Sequence, residues 1–249
     1  MSSNSETGHA KNVANFEDLI SFCTGYGTAY NPSKVSIKLP ALNTLFTSAK
    51  NSLIAVSSSA TAFNNAVNAR QIVFDPLKKL TTRILNALIA TDASEQTIAD
   101  AKTFARKIQG KRASDKIPTV VDNPSTPENE AQKSISASQQ SFDNLIEHLS
   151  KMKDLLTAEA LYIPNETDLK LVAINTLIAD MKTKNTAVIT ATTALSNSRI
   201  SRNDTLYKAS VGLVDISQEV KKYVKSVFGA KSSQYKQVSK LKFTSPRKN

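Results

Sequence analysis

An internal repeat constrains this chain more than any other feature. Shifting the sequence by 132 residues sets YNPSKVSIKLPALNTLF, starting at Tyr30, against YIPNETDLKLVAINTLI, starting at Tyr162. Eight of the 17 aligned positions are identical, where average residue usage gives roughly one by chance. The ungapped offset goes on to pair Lys50 with Lys182, Val56 with Val188, Asn65 with Asn197 and Arg70 with Arg202. Upstream, FEDLI at Phe16 matches FDNLI at Phe142, so the second copy carries six extra residues ahead of its tyrosine. The chain therefore reads as a disordered N-terminus (1–13), a first helical repeat (14–112), a proline-, serine- and threonine-containing linker running into the next helix (113–139), a second repeat (140–245) and a basic tail (246–249).

Periodicity supplies the secondary structure of each copy. Leu42, Phe46, Ala49, Leu53, Val56, Ala60, Phe63 and Val67 recur at alternating steps of four and three, the signature of one apolar face on a long helix. Such a helix of about 30 residues is about 45 Å long. Ile174, Ile178, Met181, Val188 and Leu195 repeat that frame, which Asn185, Thr192 and Arg199 interrupt. Asp75-Pro76 reads as a cap and first helical position for the next helix, carrying Leu77, Leu80, Ile84 and Leu88. Its counterpart, carrying Leu213, Ile216, Val220 and Val224, is expected to start near Asn203-Asp204. A shorter helix precedes each long pair, brief in the first copy, and another is expected from Ser94 to Gln109. Long helices joined by short turns fold back on one another. The expected fold class is all-α: an elongated antiparallel helical bundle of coiled-coil character, made of two tandem copies with pseudo-twofold symmetry.

The repeat residues, together with AKTFARKIQGKRAS, TKNTAVITATTALSNSRISRNDTLY and YVKSVFGAKSSQYKQVSKL, resemble a family of uncharacterised two-repeat helical proteins of Bacteroidota. That resemblance implies the same helical architecture and carries no activity, cofactor or site.

The residues themselves point away from catalysis. The chain has no GxxxxGK[ST], GxGxxG, GxSxG, HExxH or CxxC pattern. Its one cysteine, Cys23, cannot close an internal disulfide, and His9 and His148 are too few and too far apart for a histidine-based metal site. Cys23 beside Phe22 reads as a small buried side chain, and the acid pair Glu17-Asp18 as a solvated surface. Neither a catalytic residue nor a cofactor or metal ligand is expected. No basic stretch followed by an apolar run opens the chain, and no transmembrane segment is expected, so the reading is cytoplasmic. Three polar pairs recur in both copies: Asn43/Asn175, Thr44/Thr176 and Arg70/Arg202. They read either as a binding site in each copy or as caps and buried hydrogen bonds that fix how helices meet.

Charge is the remaining signal. Of a net +11, the stretch from Val220 to Asn249 carries nine basic residues and no acid, and Ala101–Ser114 carries five and no acid. Lys102, Arg106, Lys107, Lys111 and Arg112 end the first copy; Lys236, Lys240 and Lys242 end the second, with Phe104, Tyr235 and Phe243 interleaved. This pattern suits a polyanion, with phosphates on the cations and bases on the rings, and equally a solvated helix end. Three functions follow as expectations: a non-enzymatic interaction or structural protein with a protein partner or self-association, a nucleic-acid-binding accessory protein, and a membrane-active helical protein. The polyanion alternative is tested by titrating duplex DNA across salt concentrations. Neutralising Lys236, Lys240 and Lys242 is expected to reduce the salt slope by up to about three if they meet phosphates. No binding to DNA, RNA or heparin at low salt eliminates that alternative.

Overall fold

A computed structural model describes residues 7–111 and 140–245. The stretch expected to be a linker, Arg112 and the basic tail lie outside the described residues. The described residues form eight α-helices: α1 (Thr7–Gly25), α2 (Leu39–Phe74), α3 (Leu77–Ile89), α4 (Glu95–Gln109), α5 (Phe142–Ala158), α6 (Leu171–Tyr207), α7 (Leu213–Phe228) and α8 (Ser233–Ser239). Short 3-10 turns lie at Gly27–Ala29, Val35–Ile37 and Thr167–Leu169, and no strand occurs among the described residues.

Local chemistry accounts for the ends of these helices. The hydroxyls of Ser94, Ser141 and Ser232 accept the amides of Thr97, Asn144 and Tyr235 at the starts of α4, α5 and α8, satisfying donors that the first helical turn leaves without partners. Gly110, at φ +73°, closes α4 in the left-handed region. The amides of Gly110 and Lys111 return to the carbonyls of Lys107 and Arg106, the crossed pair of bonds that ends a helix on a glycine. Three sequence expectations need correction. The chain is helical from Thr7 and buries Asn12 and Val13, so α1 is neither brief nor preceded by disorder up to residue 13. Its inner face is apolar enough to pack, and Asn12 finds polar partners in the C-terminal segment: its Nδ2 donates to the Thr244 carbonyl at 2.8 Å and its Oδ1 accepts the Thr244 amide at 3.0 Å. The helix expected to start near Asn203-Asp204 instead starts at Leu213, because α6 runs on to Tyr207, where Leu206 is fully buried and holds the last turn down. The chain turns only at 208–212, where Ser210 takes φ +65°. Asp75 makes no side-chain cap for α3, which starts at Leu77 with Pro76 already in helical geometry.

The chain divides into two compact units. Unit 1 comprises residues 1–64 and 190–249. Its core joins Phe16, Leu19 and Cys23 of α1 and Leu42 and Ala49 of α2 to Leu206 of α6, Leu213, Val220 and Val224 of α7, and Val238 of α8. Unit 2 comprises residues 65–189. Its core joins Phe74 of α2, Leu77, Ile84 and Leu88 of α3, and Ala101, Ala105 and Ile108 of α4 to Leu149, Met152 and Leu156 of α5 and Ile174, Ile178 and Met181 of α6. Each unit thus contains segments of both sequence copies.

Two polar arrangements recur inside the cores. In unit 1 the Tyr30 hydroxyl donates to the Ile37 carbonyl at 2.6 Å; in unit 2 the Tyr162 hydroxyl donates to the Leu169 carbonyl at 2.9 Å. Thr81 on α3 and Ser217 on α7 are both fully buried, and each donates to the carbonyl four residues back, Leu77 at 2.7 Å and Leu213 at 2.6 Å. Asn185, which interrupts the heptad pattern, is nevertheless buried in the seam. It accepts from Arg70 at 2.9 Å and donates to Asp143 at 2.7 Å, while the Arg70 guanidinium lies 3.8 Å over the Phe142 ring. A buried amide with both ends bonded is tolerated in an apolar seam.

Core depth sets the expected mutational costs. Phe16 is fully buried, so Phe16→Ala should cost about 3–5 kcal/mol. Ile54, more than half exposed on α2, should lose no more than about 0.5 kcal/mol on truncation to alanine. Urea unfolding of the two variants checks the contrast, and equal costs would contradict the core assignment.

Candidate functional site

The most site-like feature of unit 2 is a cleft of about 520 Å³ between α3 and the segment leading from α5 to α6. Helix α3 contributes Arg83, Asn86 and Ala87, and Ala90 just after it; the segment contributes Leu161 through Glu166 and Leu169. The Tyr162 hydroxyl bond to Leu169 holds this segment in place. Burial, with the charges of Glu166 and Asp168 adding to it, pushes the Tyr162 phenol up to about 12, so it remains a hydrogen-bond donor throughout the neutral range. At the rim the two terminal guanidinium nitrogens of Arg83 reach the Asp168 carboxylate. The hydrogen bond from Arg83 holds the Asp168 carboxyl below its ordinary range, and the same contact raises Arg83. Leu161 and Ile163, 50% and 80% exposed, give the mouth an apolar lip.

Unit 1 has a comparable place, differently filled. Aligning Leu77, Leu80, Thr81, Ile84 and Leu88 of α3 with Leu213, Ile216, Ser217, Val220 and Val224 of α7 sets Ala87 against Tyr223 and Arg83 against Glu219. The Tyr223 ring packs edge-on against Tyr30 at 5.3 Å between centroids, and its hydroxyl accepts the Asn31 amide at 3.2 Å. Beside it, Lys34 pairs with Glu219 at 2.6 Å. In unit 2 the methyl of Ala87 stands at the position aligned with that phenol, and Ala87 lines the open cleft. Sequence reasoning passed over Ala87 because an alanine on a helix carries no chemistry of its own. The one available signal was the mismatch between alanine and tyrosine in otherwise parallel helices.

The basic residues singled out from the sequence fall on both units. In unit 2, Lys102 and Lys111 are exposed while Arg106 and Lys107 are half-buried on α4. In unit 1, Lys236 on α8 and Lys240 and Lys242 beyond it are exposed. The interleaved rings are engaged in the fold. Phe104 packs against the unit 2 core, and Tyr235 and Phe243 against that of unit 1. Lys221 lies 5.0 Å from the Phe243 ring and donates to the Leu241 carbonyl, and Lys225 lies 5.7 Å from the Tyr235 ring. Burial lowers the Lys221 ammonium below its ordinary value. Base stacking on these half-buried rings would compete with their packing against the cores.

The recurrent polar pairs fall into two groups. Asn43, Thr44 and Thr176 are exposed, and each bonds the carbonyl four residues back on its own helix, at Leu39, Pro40 and Val172; Asn175 is exposed as well. They neither cap a helix nor join two helices. Arg70 joins the Asn185 pair described above, and Arg202 is buried, donating to the Asn203 side chain. Cys23 is fully buried, and desolvation pushes its thiol up to about 12, so it is a core side chain. Glu17 and Asp18 are exposed. Among the described residues no cluster of three or more metal-ligating side chains occurs, and no helix is long and apolar enough to cross a membrane. Comparison with known proteins returned no matching family model, curated protein or solved structure.

Proposed function

We propose that this chain is a non-enzymatic helical interaction protein, in which two copies of one helical unit exchange halves and the unit 2 cleft receives a partner. The observation that carries this reading is the contrast at one aligned position: Tyr223 packs against Tyr30 in unit 1, whereas Ala87 lines an open cleft in unit 2. A cleft flanked by exposed apolar residues and a few convergent polar groups is the usual setting for binding.

The exchange is supported by what each unit contains. In unit 1, α1 and the early part of α2 from the first copy are covered by α7 and α8 of the second; in unit 2, α5 and the early part of α6 are covered by α3 and α4. Surface charge agrees with this pairing. Lys34 of the first copy meets Glu219 of the second, and Asp168 of the second meets Arg83 of the first. Packing within one copy would set Lys34 near Arg83, and Asp168 near Glu219, placing like charges together. Each exposed pair is worth only about 0–1 kcal/mol, so charge selects between pairings whose stability comes from apolar burial.

A photoreactive phenylalanine analogue placed at Ile163, on the lip of the cleft, tests the binding reading. Irradiation in a lysate of the native source is expected to give discrete adducts, while the same analogue at the aligned Asn31 in unit 1 should give none. Equal labelling at both positions, or none at Ile163, would count against the cleft as the docking place.

A further inference from the structure

Resting on the cleft as the docking place, we propose that its occupant is the phenolic side chain of a tyrosine presented by a partner protein. The molecule carries its own internal template for such an occupant. In unit 1 the space between the helix and the segment before the long helix is filled by Tyr223, whose ring meets Tyr30 at an interplanar angle of 89°. Its hydroxyl takes a hydrogen bond from the backbone of that segment. Unit 2 retains the receiving side of this arrangement. Tyr162 is held by the same hydroxyl-to-carbonyl bond as Tyr30, and Leu169 is buried as Ile37 is.

What unit 2 lacks is the ring, since Ala87 takes the aligned place on α3. A tyrosine supplied from outside would present its edge or face to Tyr162, as aromatic pairs prefer. The polar demand of its hydroxyl is also met locally. Asn86 and Asn165 line the same cleft, and Glu166 lies on its rim side. The backbone amide aligned with the one that serves Tyr223 is that of Ile163, which instead turns back to the Leu161 carbonyl at 3.1 Å. A guest hydroxyl is therefore served by side chains, and a phenol is favoured over a purely aliphatic group because buried polar groups left without a partner weaken binding.

The test uses the full chain with labelled Ala, Ile, Leu and Val methyl groups and p-cresol as the probe. Saturable NMR shifts are expected at Ala87, Ala90, Leu161 and Leu169 at millimolar p-cresol, with toluene binding at least threefold more weakly. Ala87→Tyr fills the cleft from within and should abolish these shifts while leaving unit 1 resonances in place. Tyr223→Ala in unit 1 is the converse: it should open a second p-cresol site, read at Ile37 and Val224. Absence of saturable shifts at the cleft in the unsubstituted chain would overturn the proposal. So would persistence of those shifts in a folded Ala87→Tyr chain, equal binding of toluene, or failure of Tyr223→Ala to create a second site. Discrete adducts from Ile163 together with no p-cresol binding would leave the docking reading standing and remove the phenolic occupant.

Discussion

The hydrogen bond from a buried tyrosine hydroxyl to a carbonyl seven residues on is the constraint around which each unit is organised. Tyr30 makes it to Ile37 and Tyr162 to Leu169. Each bond closes the segment that precedes a long helix, so the chain arrives at Leu39 or Leu171 in a defined direction. Proline within that segment, Pro32 or Pro164, restricts the residue before it to extended geometry and works toward the same end. A hydroxyl buried to this depth needs its partner, because an unmet donor costs about 1–3 kcal/mol. The segment so fixed becomes the surface on which another helix lies, α7 in unit 1 and α3 in unit 2. The filled place under Tyr223 and the open cleft beside Ala87 both depend on it.

Much of this architecture was legible in the residues, for reasons that also mark where legibility ended. The steps of three and four from Leu42 to Val67 announced α2, and burial of Leu42, Ala49 and Val56 follows that face. Ser94 announced α4 because a serine hydroxyl can accept an amide that the helix cannot otherwise satisfy. Periodicity states which face of a helix is apolar and is silent on which segment covers it. That is why the covering of α1 by α7, 188 positions or more along the chain, was not apparent from the pattern. The clue that existed was electrostatic, in the reversed charges of Lys34 with Glu219 and Asp168 with Arg83, and it becomes readable only once the helices are aligned. Asn185 looked like a flaw in its seam because its partners, Arg70 and Asp143, lie on other helices. The cleft was invisible for a simpler reason: its defining feature is the side chain that Ala87 does not have.

At the basic helix ends the fold already uses part of each interleaved ring. Interleaved cations and rings are what single-stranded nucleic acid favours, yet Phe104, Tyr235 and Phe243 pack against the cores. Lys221 and Lys225 are directed toward two of those rings. Fully exposed there are the cations Lys102, Lys111, Lys236, Lys240 and Lys242, while the rings are half-buried. Charge by itself supports salt-dependent attraction to an anion and gives no means of distinguishing one anion from another.

Each packing unit draws its helices from both halves of the chain. The most direct measurement expresses residues 1–111 and 140–249 as separate chains and follows sedimentation and thermal melting, alone and together. Neither fragment alone should melt cooperatively, since each lacks the helices that cover its core, and the mixture should form a 1:1 complex with a single-complex mass and a cooperative transition. A fragment that sediments alone as a monomer and melts cooperatively would contradict the account, because its own copy would then suffice to bury its core.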